Sequence, residues 1–382
     1  AFTSMQRLPS FKILFTIFAY YKVKTKLYSQ SIIFMPQKKI AFIMNPISGT
    51  VKKAGIPKLI DEYLDKDTFS YSILNTEYAG HATLLARKAC EDNCDVVVAV
   101  GGDGTINEIG RALIDTNTAM GIIPCGSGNG LARHLMLPMD IKKCIMIINK
   151  CMTHDLDYGV IDGHPFFCTC GMGFDAYISM RFAEAGKRGP VTYLENILKS
   201  GLKYEAEEYT IEAEEIGTIH KRAYLVSCAN ASQYGNNAYI APQASMSDGL
   251  LDVIIMEPFD MIDAPQISID MFNKTINKNP KVKTFKSSHI LVHRKNEGVI
   301  HYDGDPVIAG KDIDITLHHK GIKIVVNPEA DKSRRKPNMV QNAFCDLFND
   351  IYAVRTDITK QGKHIQTINK LLLKKLNNLS SG

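Results

Sequence analysis

The apolar positions of this chain first switch between strand and helix spacing and later settle into strands. Lys39–Met44 (KIAFIM) is a short apolar run that stops at Asn45-Pro46, a strand entering a turn. Ile56, Leu59, Ile60, Tyr63 and Leu64 recur at helical spacing. Phe69–Leu74 then predicts a second strand and His81–Ala89 a second helix. Asp95–Val100 (DVVVAV) is a continuous β-branched run, which suits a strand buried on both faces. A helix is expected over Ile106–Ile114, a strand over Met120–Ile123, and another helix over Leu131–Leu137 ahead of Pro138. Strands alternating with helices predict a parallel sheet with helices on both faces. In such sheets ligands bind beyond the carboxyl ends of the strands.

From about residue 154 the texture changes. Asp155–Ile161 and Pro165–Cys170 flank Asp162-Gly163, a hairpin turn signal. Strand-like runs follow at Thr210–Ala213, Ala223–Cys228, Leu251–Met256, His289–His293, Gly298–Tyr302, Ile313–Leu317 and Ile322–Val326. Helical patterns interrupt them near Gly173–Ala185 and Val191–Leu198. A mainly antiparallel β domain is predicted. Past Pro328, Phe344, Leu347, Phe348, Ile351 and Tyr352 share one helical face, and Ile365, Ile368, Leu372, Leu376 and Leu379 another. The expected organisation is a basic extension over 1–37, an α/β domain over 38–153, a β-rich domain over 154–327 and a basic helical tail over 328–382.

Composition adds a charge asymmetry. The chain has 382 residues, 45% apolar and 22% charged, which excludes a disordered or fibrous class. Residues 1–39 carry seven Lys/Arg and no acid, and residues 331–382 carry ten Lys/Arg and four acids. That leaves 28 bases against 36 acids between 40 and 330. Basic ends on an acidic body suit an anionic lipid surface or nucleic acid, although charge alone favours simply solvated ends. The longest apolar stretch near the start, Ile13–Tyr21, has nine residues, well short of the roughly 20 that a spanning helix needs. No A-x-A-like site follows it, and residues 1–34 are expected to be a poorly ordered extension or to lie upstream of a natural start at Met35. Nine cysteines without a CxxC pair argue for reduced buried thiols rather than structural zinc. Cys168 and Cys170 are expected on one face of one strand.

The candidate chemistry lies in three glycine-bearing turns. Gly101-Gly102-Asp103-Gly104-Thr105 follows the buried strand and precedes a helix. Its glycines allow the backbone to approach a polyphosphate, and the helix offers N–H groups and the positive end of its dipole. An acid in such a loop reads as a metal contact or catalytic carboxylate, with Thr105 as a hydroxyl donor. A tight turn in which Asp103 only caps the helix would look the same. Two further turns, Asn45–Gly49 and Gly126-Ser127-Gly128-Asn129-Gly130, are expected at the same sheet edge and favour the phosphate reading. Walker A is excluded, since no Lys stands at its required place. The dinucleotide fingerprint is excluded by Asn107 and Leu131 at its third-glycine positions.

These turns carry a resemblance. Asn45–Gly49, Thr76 with Gly80-His81-Ala82, Gly101–Glu108 and Pro124–Arg133 (PCGSGNGLAR) follow the order and spacing of the diacylglycerol kinase catalytic family, which includes sphingosine and ceramide kinases. Ser247–Asp252 and Asp303-Gly304-Asp305 also match, and the resemblance covers about residues 38–327. It implies an NAD kinase-like α/β domain joined to a mainly antiparallel β domain. It also implies an ATP- and Mg2+-dependent kinase whose substrate is a lipid alcohol such as diacylglycerol or a sphingoid base. Carried over, Asn45, Pro46, Ile47, Ser48, Gly49, Thr76, Gly102, Asp103, Gly104, Thr105, Ile106, Asn107, Glu108 and Ser127 would hold the nucleotide. Ser245, Asp248 and Leu250 would bind a structural magnesium, partly through carbonyls. Asp305 stands where the family usually has the Glu that serves as general base, one methylene shorter. Asp103 and Asp303 remain alternative bases. Arg133 and Lys52 could add positive charge near the phosphates.

The resemblance further implies a cytoplasmic enzyme held peripherally at a membrane, gives no reason for a nucleic-acid partner and leaves homo-oligomer formation open. GGDGT is shared with NAD kinases, so a kinase of a soluble alcohol is the first rival. A catalytically weak lipid-binding protein, suggested by Asp305, is the second. His81 and the His318-His319 pair are expected to carry no chemistry. Met172 and Phe174 suit either a lipid cleft or the core. The tail helices suit either membrane docking or packing on the β domain.

Overall fold

The structure, a computed structural model, describes residues 37–46, 53–185, 204–260 and 263–330. The predicted helices over 191–198 and beyond 328 and the basic stretch 1–34 lie outside the described residues.

Strands β1 (Lys38–Met44), β2 (Phe69–Asn75), β3 (Val96–Gly101) and β4 (Ala119–Pro124) pair in parallel in the order β2-β1-β3-β4. β3 is buried along its whole length, as its β-branched run predicts. Between the strands run α1 (Ile56–Tyr63), α2 (His81–Glu91) and α3 (Asp103–Leu113), followed by α4 (Gly130–His134) and α5 (Ile141–Lys150). α2 packs beside α3 and α1 beside α5, giving the two helical layers that strands buried on both faces require. α3 begins three residues ahead of the predicted start. Gly102 is extended, with ψ −173°, so Asp103-Gly104-Thr105 already form the first helical turn. The sequence assigns no element to Ile141–Lys150, because the unbroken CIMII run hides its helical period. In the structure Asp140 caps it, accepting from Lys143 N–H at 2.9 Å, and Cys144, Ile145, Ile147 and Ile148 are buried.

The second half is antiparallel. β5 (Thr153–Ile161) and β6 (His164–Phe166) form the predicted hairpin, with Asp162 and Gly163 at φ 45° and 78°. The next elements are β7 (Thr169–Gly173), α6 (Phe174–Ala185), β8 (Glu207–Ala213), β9 (Gly217–Ala223), β10 (Leu225–Ala229) and β11 (Leu251–Met256). The chain continues through α7 (Ala264–Phe272), β12 (Val282–Ser287), β13 (His289–Arg294), β14 (Gly298–Tyr302), β15 (Asp305–Ala309) and β16 (Asp312–Val325). One sheet runs β12-β11-β10-β7-β14-β15. The other extends the parallel sheet through β16, β13, β8 and β9, with β5 also on β16.

Two strand predictions are corrected. Ile313–Leu317 and Ile322–Val326 are one strand, β16, with a bulge between His318 and Ile322 where it pairs with β5. Its far end pairs in parallel with β4 at Ile324 and Met120, so the last strand joins the parallel strands to the antiparallel ones. Pro165–Cys170 is not continuous either. β6 belongs to one sheet and β7 to the other, and at the break the N–H groups of Phe167, Cys168 and Thr169, the first residue of β7, all donate to the Asp303 carboxylate. Cys168 therefore joins the core of the α/β layer and Cys170 the core between the two sheets. They do not share a face. The His318-His319 pair is exposed but engaged: His318 stacks on Tyr158, and His319 Nδ1 lies 2.8 Å from the fully buried Asp157. Met172 is buried in the core, and Phe174 packs among Tyr204 and Tyr224.

Candidate active site

β3 and β4 are parallel neighbours, so the turns leaving them open at one sheet edge. The two turns touch. A Cβ on Gly126 would lie 2.7 Å from Gly102 Cα, closer than any side chain tolerates. Asp103, at the start of α3, reaches across the contact. Its Oδ2 accepts from Asn129 N–H at 2.8 Å and its Oδ1 from Gly130 N–H at 2.7 Å. Gly128 must stay bare beside it, since a Cβ there would sit 2.9 Å from Asp103 Oδ2. Asn129, left-handed at φ 51°, completes the brace by accepting from Gly126 N–H at 2.9 Å and donating to Gly126 carbonyl at 2.7 Å. Burial raises the Asp103 pKa, and the backbone donors pull against it. Each oxygen accepts one backbone bond, so Asp103 ties the two turns together.

The first turn approaches the same edge. Asn45 N–H donates to Val100 carbonyl at 3.3 Å and Thr76 N–H to Met44 carbonyl at 2.9 Å. Lys53 is buried beneath and donates to Asn45 carbonyl, and burial lowers its pKa. Pro46 is described, whereas Ile47, Ser48, Gly49 and Lys52 lie outside the described residues. Thr105, Ile106 and Asn107 are buried inward, so only backbone on that turn faces the rim, while Gly104 and Ser127 are exposed. Glu108, expected at the nucleotide, caps α2 in this structure: its carboxylate accepts from Gly80 N–H at 3.0 Å and Ala82 N–H at 3.1 Å. His81 stacks on Tyr78 and accepts from Glu77 N–H at 3.1 Å.

The three aspartates proposed as bases separate by geometry. Asp303 sits at φ 54° in the β14–β15 turn. Its carboxylate accepts from Phe167, Cys168 and Thr169 N–H at 2.8, 2.6 and 3.1 Å. Burial pushes its pKa up to about 6 despite those donors. Like Asp103, it is a tether. Asp305 differs, with its side chain 51% exposed and paired with Arg111 Nη2 at 3.1 Å. Arg111 extends from the last turn of α3, lies over the Tyr302 ring at 4.7 Å and donates to Pro165 carbonyl at 3.4 Å. One helix thus spans from the glycine turns at Asp103 to the acid at Asp305, about 12 Å at helical rise.

Ser245, Asp248 and Leu250 come together in one turn. Asp248 Oδ1 accepts from Leu250 N–H at 3.2 Å, and Oδ2 meets Lys286 Nζ at 2.7 Å. Lys286 also reaches Asp252 at 3.0 Å. Burial alone would lower the Lys286 pKa, but the two carboxylates outweigh it and raise it. Behind the turn, Asp157 accepts from Gly249 N–H at 2.9 Å and Lys320 N–H at 2.8 Å. The predicted set offers one carboxylate already paired with an ammonium. Among the described residues, no group of three or more His, Cys, Asp or Glu is placed to hold a metal ion. The expected magnesium would draw partly on backbone carbonyls of this turn, beside a carboxylate that holds Lys286.

Asn129, Lys53, Arg111, Asp157 and Lys286 escaped the sequence reading as functional positions. Only Asn129 left a signal, as an Asn between glycines where a left-handed residue is needed.

Residues 39–161 match the family described as diacylglycerol kinase catalytic domain, and residues 168–312 the YegS C-terminal NAD kinase beta sandwich-like domain. A protein named diacylglycerol kinase from Staphylococcus saprophyticus is 28% identical over 274 residues, 70% of this chain and 89% of that one. One of that name from Staphylococcus epidermidis is 26% identical over 274 residues, 70% of this chain and 86% of its own. A crystal structure of a diacylglycerol kinase from Bacillus anthracis superposes with a TM-score of 0.60 at 20% identity, covering 77% of this chain and 98% of that one, a likeness of fold. With its glycine turns braced at one sheet edge and its second half folded as the matching β domain, the chain belongs to the diacylglycerol kinase catalytic domain family.

Proposed function

We propose that this kinase transfers the γ-phosphate of ATP to the hydroxyl of a lipid alcohol, either diacylglycerol or a sphingoid base. The observation that carries the reading is the contact between the Gly101–Thr105 and Gly126–Gly130 turns, locked by Asp103 at the edge where α3 begins. Adjacent backbone turns at a helix N-terminus suit a triphosphate. Asn45, Thr76, Gly102, Gly104 and Ser127 would line it. The Lys53 ammonium and the Arg133 guanidinium, whose Nε donates to Gly128 carbonyl at 2.9 Å, would add positive charge. Mg2+ carried by the ATP would supply charge neutralisation at the phosphates.

Asp305 is the base in this reading, because it alone of the three aspartates keeps an exposed carboxylate. As the lipid oxygen bonds to the γ-phosphorus, its proton passes to Asp305 and the β–γ bridge breaks to release ADP. Arg111 holds the shorter acid in place. The basic chain ends would then draw the enzyme to an anionic membrane surface from the cytoplasm.

The test is transfer of radiolabel from ATP with Mg2+ to a mixed lipid pool, with NAD as a competing acceptor. A labelled phospholipid that disappears in Asp305→Asn is expected. Label in NADP without lipid label would instead favour a soluble acceptor. Vesicle binding with no turnover would favour a lipid-binding protein.

A further inference from the structure

Behind the Asp303-Gly304-Asp305 turn lies a buried polar cluster with no part in the phosphoryl transfer itself. The His301 and Asp175 side chains are 2% and 9% exposed and meet at 3.1 Å, Nε2 to Oδ2. The Tyr234 hydroxyl donates to the same Asp175 oxygen at 3.1 Å. Asp175 Oδ1 accepts from Ala176 N–H at 2.8 Å, at the start of α6. Burying an acid and an imidazole beside a half-buried phenol is costly next to apolar packing. Such a cluster calls for a role.

Strand geometry limits what that role can be. Across the β14–β15 hairpin, Tyr302 pairs with Asp305 and His301 with Pro306. Cross-strand partners share a face and sequence neighbours do not, so His301 lies on the face opposite Asp305 and cannot receive its proton. Its link to the turn is through the backbone: Gly304 N–H donates to His301 Nδ1 at 3.4 Å. That bond places the ring proton on Nε2, facing Asp175. In the other direction the Tyr234 segment leads to the glycine turns, where Asn236 N–H donates to Gly128 carbonyl at 3.0 Å. Hydrogen bonds and the short backbone stretch from Tyr234 to Asn236 therefore join the turn bearing Asp305 to the turn bearing Ser127 and Gly128.

We propose that Tyr234, Asp175 and His301 form a positioning device that fixes the Asp305 turn relative to the glycine turns. The inference rests on the kinase reading for its effect on rate, but not for the coupling itself. The test pairs Tyr234→Phe, which removes one hydroxyl, with His301→Asn and His301→Leu. Kinetics and amide hydrogen exchange over 126–130 and 303–306 are the readouts. Tyr234→Phe is expected to lower kcat by about tenfold or more, as a small misplacement of reacting groups does, with the KM for ATP little changed. Exchange should quicken in both segments at an unchanged melting temperature. His301→Asn, which keeps a polar amide, should retain more activity than His301→Leu. Unchanged exchange at 303–306 in Tyr234→Phe would overturn the proposal, as would a kcat loss that only tracks lost stability. If the wild type phosphorylates no acceptor, the kinase reading fails while the exchange result still decides the coupling.

Discussion

Asp103 is the position at which a bracing role and a catalytic role predict opposite kinetics. Its carboxylate holds Asn129 N–H at 2.8 Å and Gly130 N–H at 2.7 Å. Asp103→Asn keeps the shape but only one acceptor, so an amide NH2 must face one of those backbone donors. Hydrogen bonds to a charged group are worth roughly 1.5–3 kcal/mol each. One lost bond therefore weakens the braced conformation by that amount, or roughly 10- to 150-fold. Since the brace shapes the phosphate turns, the loss should appear as a raised KM for ATP, with kcat falling far less. Asp305→Asn should do the reverse, cutting kcat by roughly 10²–10⁴ with the KM for ATP nearly unaltered, as expected for a general base. Steady-state kinetics over ATP at saturating lipid, on variants whose melting curves match wild type, separate the two. A thousandfold fall in kcat with an unchanged KM in Asp103→Asn would refute the brace and return the residue to the reacting atoms.

Glu108→Gln loses one of two caps on α2, which should cost about 1 kcal/mol and lower the melting temperature by a few degrees in calorimetry; no shift would show that the cap is idle. Burial holds Asp303 at about 6 against 3.8 for an unperturbed carboxyl, so the folded chain binds the extra proton between those values. Its contribution to stability is complete below about 3.8 and is lost as pH rises through about 6, a change of about 3 kcal/mol. Asp303→Asn should abolish that slope in urea titrations, and parallel slopes would sink the argument. Lys286→Met leaves Asp248 and Asp252 without their cation, so its melting temperature should fall in chelator and recover with millimolar Mg2+, while the wild type ignores chelator. A wild type that melts earlier in chelator would mean a metal holds that turn.

What could be read from the sequence was whatever depends on local spacing. The DVVVAV run announced a strand covered on both faces, and β3 is buried throughout. The glycine turns declared themselves because each stands between a strand and a helix. Hydrogen bonds between distant segments leave no such trace. Asp103 reaches residues 26 and 27 positions away, and Asp303 reaches across 134–136 positions to the gap between β6 and β7. A carboxylate that caps a helix or fills a strand break looks in sequence like one waiting for a substrate.

The two acids of the Asp303-Gly304-Asp305 turn show why geometry had to decide. They are two residues apart, yet Asp303 lies in the left-handed turn, where its carboxylate folds back onto three amides, while Asp305 begins β15 beside Tyr302. A strand residue at a hairpin edge projects outward, and Arg111 meets it there from the end of α3. The helix that starts at the glycine turns thus ends at the acid proposed as the base. In the proposed reading an acid one methylene shorter than the Glu that the resemblance implies would still work in this frame, provided that Arg111 and the His301 cluster fix where the turn stands. If so, Arg111→Met should lower kcat more in this chain than in relatives that keep Glu, measured side by side. Equal losses in both would mean that the guanidinium serves the phosphate rather than the acid.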